Sequence, residues 1–153
     1  MRIAVGSDHR GFVIKGKIVE LLKRLQQEVI DVGPHTAESV DYPDIAQIVG
    51  GKVSDGVVDR GILICGTGIG MCIAANKFPG VRAAPCHDDL TAEMSRRHND
   101  LNVLCLAAES VNDQQAAKLL DTFLAVSFDG GRHAKRVAKI ADLESKPLAG
   151  NGP

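Results

Sequence analysis

With 153 residues the chain has room for one domain with a substantial core, and at 44% hydrophobic residues a soluble globule is expected. Eighteen Lys and Arg against nineteen Asp and Glu leave a formal net charge of −1. That balance excludes a general polyanion or nucleic-acid binder, and no apolar run reaches the length of a membrane span. The opening MRIAVGSDH runs directly into a strand pattern, without the charged and apolar regions of a signal peptide, so the cytoplasm is the expected compartment.

Short β-branched runs alternate with longer helical patterns along the whole chain. Strands are predicted over Arg2–Gly6, Glu28–Val32, Gly61–Cys65, Val81–Ala84 and Asn102–Leu106. After the first, Ile14, Ile18, Leu22 and Leu25 recur at helical spacing, with Lys15, Lys17, Glu20 and Lys23 on the opposite face. Further helices are predicted near 42–54, 69–77, 89–99, 112–126 and 133–145. Repeated strand–helix–strand units imply right-handed crossovers and a doubly wound, Rossmann-like α/β fold with a parallel sheet covered on both faces. One domain over 1–146 is expected, and SKPLAGNGP, which has lost any apolar period, reads as a loose tail over 147–153.

Ligands of such folds bind beyond the carboxyl ends of the strands, where the strand order reverses. If the order begins 2-1-3, the crevice lies between strands 1 and 3. Ser7-Asp8-His9-Arg10-Gly11 leaves strand 1 there, and Cys65-Gly66-Thr67-Gly68-Ile69-Gly70 leaves strand 3. The glycine spacing is neither the dinucleotide fingerprint nor a P-loop, and no serine stands where a nucleophile elbow would need one. Two readings stay open for the loop: a nest of N–H groups for an oxyanion, helped by a helix beginning near Ile69, or a tight turn that needs glycine for its dihedrals. Cys65 favours the first, because a helix amino-terminus favours thiolate over thiol and so suits a base or nucleophile.

The remaining polar clusters have bland explanations as well as chemical ones. Asp8 and His9 can form an exposed turn with Asp8 capping the next helix. His98 and Asn99 end a helix, where the dipole favours a cation and where a group titrating near neutrality can also work. In DGGRHAKR, two glycines open the last helix and Arg132 and Arg136 stand four apart, as a phosphate clamp or as a solvated basic face. The histidines show no metal-ligand spacing, and Cys86-His87-Asp88-Asp89 reads as a loop into a helix cap. Without a C-x-x-C pair among Cys65, Cys72, Cys86 and Cys105, zinc and disulfide frameworks are not expected; Cys72 and Cys105 read as small buried hydrophobes.

GSDHRGF, DYPD, ICGTGIGMCIAANK, RRHNDLNV and GGRHAKR, in this order between residues 1 and 145, together resemble the ribose-5-phosphate isomerase B family, in the ribose/galactose-phosphate isomerase group. The resemblance implies a three-layer α/β/α fold with a five-stranded parallel sheet, a homodimer or homotetramer with active sites shared between subunits, and interconversion of D-ribose 5-phosphate and D-ribulose 5-phosphate without metal or organic cofactor. It implies Cys65 as the base, with Thr67 and the amides of Gly66, Gly68, Ile69 and Gly70 holding the enediolate oxygens. His98 with Asp8 would open the furanose ring, Asn99 would bind sugar oxygen, Tyr42 would line the pocket, and His9, Arg132 and Arg136 would take the phosphate. A branch of the family carries its base just after the glycine loop; Met71 stands there and cannot accept a proton. Glu109 stands where many members carry Arg. Alternatives are an isomerase of allose 6-phosphate, galactose 6-phosphate or a free sugar, a non-catalytic sugar-phosphate-binding protein, or a thiol-dependent redox or transferase enzyme.

Overall fold

The computed structural model describes residues 1–145, and the expected tail over 147–153 lies outside them. Five strands, β1 (Arg2–Ser7), β2 (Glu28–Asp31), β3 (Arg60–Cys65), β4 (Ala83–Pro85) and β5 (Val103–Ala107), form one parallel sheet in the order β2-β1-β3-β5-β4. Six helices accompany them: α1 (Phe12–Arg24), α2 (Tyr42–Ser54), α3 (Ile69–Ala75), α4 (Asp89–Asn99), α5 (Asp113–Ala125) and α6 (Gly131–Ser145). The chain leaves β1 for the β2 edge and returns to β3 on the other side, so the order reverses between β1 and β3, as expected. β5 then inserts between β3 and the short edge strand β4.

The central strands are apolar on both faces because both are covered. Ile62, Ile64, Leu104 and Leu106 pack with Ile18, Leu22, Ala92, Leu120 and Phe123 against α1, α4 and α5. The alternate residues Leu63, Cys65, Val103 and Cys105 pack with Ile45, Val49, Met71 and Ala75 against α2 and α3. The twofold alternation of a strand therefore turns the Cys65 side chain to the α2/α3 layer. α6 lies on α4 and buries His133 alone of its own residues, leaving Ile140 and Leu143 exposed.

Two expectations for the first helix are corrected. Lys15 is not on the solvent face: it is 3% exposed, and its Nζ donates to both carboxylate oxygens of Asp31 at 2.6 and 2.7 Å. Asp31 ends the neighbouring strand, and its charge lets a lysine occupy an otherwise apolar layer. Leu25 lies just past the helix, as its cap, and is exposed. No helix among the described residues is long and apolar enough to cross a membrane.

Candidate active site

The two loops leaving β1 and β3 meet. The Asp8 N–H donates to the Ile64 carbonyl at 3.0 Å, and a cavity of about 170 Å³ opens above the join. Asp8, Arg10, Tyr42, Cys65, Gly66, Thr67 and Gly70 line it. Asp8 is buried, and its Oδ1 accepts the N–H groups of Arg10 at 2.9 Å and Gly11 at 3.0 Å. It thus shapes the loop as an Asx turn, and Gly11, which has no side chain to cap with, is the N-cap of α1. His9 is exposed on the same loop. Tyr42 is the first residue of α2, where Pro43 presets the opening turn.

Each glycine of the β3–α3 loop has its own physical reason. Gly68 has φ of 75°, a left-handed conformation costly for other residues, and its N–H donates to Cys65 Sγ at 3.1 Å. A Cβ on Gly70 would stand 2.7 Å from the Tyr42 ring, so glycine there lets the phenol close the cavity. Gly66 lies under the side chains of Arg10 and Glu109. The loop is therefore both a tight turn and a bare-backbone surface; the two readings of the sequence do not compete. The N–H groups of Gly66 and Thr67 find no acceptor among the described residues. α3 has only seven residues, so the polarity of the nest comes from these local N–H groups and not from a long helix dipole.

His98, Asn99, Arg132 and Arg136 form a second cluster elsewhere. α4 ends just before β5 begins, which puts His98 and Asn99 at the amino ends of the strands, while Cys65 is at a carboxyl end. About 16 Å of strand separates those ends at ~3.3 Å per residue. The Asp129 N–H donates to the Arg97 carbonyl at 3.0 Å, tying the start of α6 to the end of α4. Gly130 and Gly131 open α6 with φ of 64° and 53°. Within one chain the two clusters of candidate residues thus lie at opposite ends of the sheet.

In the second cluster the rings of His98 and His133 stack, with centroids 4.1 Å apart and planes 3° from parallel. His133 was visible in the sequence only as one of five histidines; its place against His98 depends on how α6 packs across α4, which no local spacing encodes. With Asp129 these histidines bring three ligand-type atoms within 4.8 Å of one another. The in-plane lone pairs of the two rings lie in separate, near-parallel planes, so one ion cannot sit in both, and the arrangement suits ring stacking better than shared metal ligation. His133 Nε2 accepts from Arg132 Nε at 3.4 Å, so the neutral ring is the better partner. Burial, then the charges of His98, Arg132 and Arg136, hold its pKa below the ordinary value, with Asp129 opposing. An unfolded chain accepts the proton that the folded ring refuses. This contribution to stability is full above about pH 6.5 and is lost as pH falls through the lowered value. Below pH 6.5 the wild-type Tm is expected to drop more steeply than that of His133→Gln, read by thermal melts across pH.

The other thiols are settled by burial. Cys86 and Cys105 are buried, and Cys105 is the small hydrophobe expected. Cys72 is only half-buried: its Sγ donates to the Ala83 carbonyl at 3.3 Å and accepts from Asn76 Nδ2 at 3.4 Å. Hydrogen bonding with Cys105, then with Asn76, outweighs burial and lowers its pKa to about 7. Asp88 caps α4 through a capping box with Thr91, as its loop suggested.

Residues 3–140 match the family model described as Ribose/Galactose Isomerase. The chain belongs to this family. A putative sugar phosphate isomerase of Bacillus subtilis is 48% identical over 149 residues, covering 97% of this chain and all of that protein. Ribose-5-phosphate isomerase B of Escherichia coli is 46% identical over 145 residues, covering 95% of this chain and 97% of the relative. Among solved structures, ribose-5-phosphate isomerase B of Clostridium thermocellum superposes with a TM-score of 0.93 at 51% identity, covering 95% and 98% of the two chains. That of Mycoplasma genitalium, with bound ribulose 5-phosphate, also reaches 0.93, at 44% identity and 95% and 97% coverage. The cavity brings together a thiol, a carboxylate and amides that find no acceptor among the described residues.

Proposed function

We propose that the chain interconverts ribose 5-phosphate and ribulose 5-phosphate, with Cys65 as the base. The observation that carries the reading is Cys65 Sγ lining one cavity with Thr67 and the glycine amides. The thiolate takes the proton from C2 of the open-chain aldose, and the electron pair forms the C1–C2 double bond as charge passes to O1. The O2 proton then passes to O1, and the same sulfur, now a thiol, returns its proton to C1 as the C2–O2 bond becomes the ketone carbonyl. The amides of residues 66–70 and the Thr67 hydroxyl hold the enediolate oxygens, preorganised where charge develops. Tyr42 packs against the sugar chain.

The open chain must first form from the furanose, and the phosphate must be gripped. His98 with Asp8 opens the ring, Asn99 binds sugar oxygen, and His9, Arg132 and Arg136 take the phosphate. Because the two half-sites lie at opposite ends of one sheet, a second copy of the chain supplies His98, Asn99, Arg132 and Arg136 to the first copy's Cys65 cavity. Exposed Ile69 and Ile73 on α3, and Ile140 and Leu143 on α6, give apolar area for such an association.

Isomerisation in D₂O tests the reaction. Deuterium is expected at C2 of recovered ribose 5-phosphate and at C1 of ribulose 5-phosphate, because a thiol proton exchanges with solvent. Turnover with no deuterium in either sugar, and undiminished in Cys65→Ala, would mean direct hydride transfer and overturn the enediolate.

A further inference from the structure

Arg10 and Glu109 form an ion pair at the mouth of the Cys65 cavity that the isomerisation above leaves unused. Arg10 is the one arginine or lysine lining that cavity among the described residues. Both side chains cross over the Gly66 backbone: a Cβ there would stand 3.2 Å from Glu109 Oε1 and 3.3 Å from Arg10 Cδ and Nη1. Their backbones are fixed. The Arg10 N–H donates to Asp8 at 2.9 Å, and the Glu109 N–H donates to the Gly66 carbonyl at 3.1 Å. The side chains themselves are open to water, 58% and 50% exposed. An exposed pair of this kind adds little to stability, so its guanidinium is available to a stronger acceptor. A phosphate, with about −1.5 to −2 charges and three oxygens, outcompetes one carboxylate for an arginine fork.

We infer that Arg10 is an anion-binding residue of its own subunit's cavity and that Glu109 is its built-in competitor, occupying the guanidinium until a phosphorylated ligand displaces it. Glu109 thereby weakens the hold on substrate and product phosphate alike, which favours release over retention. The inference rests on the sugar-phosphate reading above and adds a specificity-determining pair to it. Arg10 discriminates phosphorylated from free sugars, and Glu109 sets how tightly.

The test uses inorganic phosphate as the probe, its Kd measured by calorimetry on the full chain, alongside KM and kcat for ribose 5-phosphate. Arg10→Met is expected to weaken phosphate binding about tenfold and to raise KM with kcat little changed. Glu109→Gln is expected to tighten phosphate binding roughly three- to tenfold, with KM falling in step. In the Arg10→Met background, Glu109→Gln is expected to recover little of this, because the competition runs through the guanidinium. Unchanged phosphate affinity in Arg10→Met would overturn the inference. So would an equal gain from Glu109→Gln in both backgrounds, which would make Glu109 a remote repulsion only. Phosphate affinity is read without turnover, so failure of the isomerase reading shows separately, as a wild-type chain that binds phosphate and leaves ribose 5-phosphate unconverted.

Discussion

Cys65→Ala is expected to lower kcat for ribose 5-phosphate by roughly 10²–10⁴-fold, the range a positioned acid–base group supplies. The side chain is 5% exposed and sits at the end of a central strand, so its loss leaves a void of one sulfur atom. Truncation of that size costs on the order of 1 kcal/mol, and the variant is expected to melt within a few degrees of wild type. A variant that folds, binds ribose 5-phosphate and exchanges no deuterium would separate chemistry from binding. Full turnover in Cys65→Ala would move the base elsewhere. Cys72→Ala is the necessary companion: with a pKa of about 7, Cys72 is the thiol most open to alkylation among those with a resolved shift. Modification of the wild type by a thiol reagent therefore does not identify the base, whereas Cys72→Ala is expected to retain activity.

Mixing two inactive variants is expected to restore activity. Cys65→Ala lacks the proposed base, and His98→Asn lacks the group proposed for ring opening. If each site takes its loop from one copy and its His98 cluster from another, a heterodimer of the two variants has one site with both defects and one with neither. Random exchange of subunits makes half the dimers heterodimers, so roughly a quarter of wild-type activity should return. The measurement is an isomerase assay before and after co-refolding or slow subunit exchange. Activity that stays at the level of the separate variants would place all catalytic groups within one chain. The geometry makes that hard to satisfy, since His98 and Cys65 stand at opposite ends of the strands.

Much of this molecule is legible along the chain because its signals are local. A buried parallel strand needs a continuous apolar run, so Gly61–Cys65 marks β3 to within a residue. Glycine at alternate positions marks a turn whatever surrounds it, and Asp88 before Thr91 signals its cap by spacing alone. Lys15 misled because helical periodicity assigns a face from hydrophobicity and takes no account of an acidic partner 16 residues away. The edge position of β4 is equally silent in sequence, because three residues, Ala83–Pro85, carry too little pattern to say which neighbour they pair with.

The order of strands and helices, the chemistry of the two loops after β1 and β3, and the basic cluster at the start of α6 follow from residue type and short spacing, since each depends on interactions within a few residues. The convergence of Asp8, Tyr42 and Cys65 on one cavity, the Arg10–Glu109 pair across Gly66, the His98–His133 stack and the separation of the His98 cluster from Cys65 are tertiary outcomes. They arise because the strand order places α1, α4 and α5 on one face of the sheet and α2 and α3 on the other, and each crossover runs from the carboxyl end of one strand back to the amino end of the next. Groups distant in sequence are then set side by side, and groups that read as one constellation are set apart.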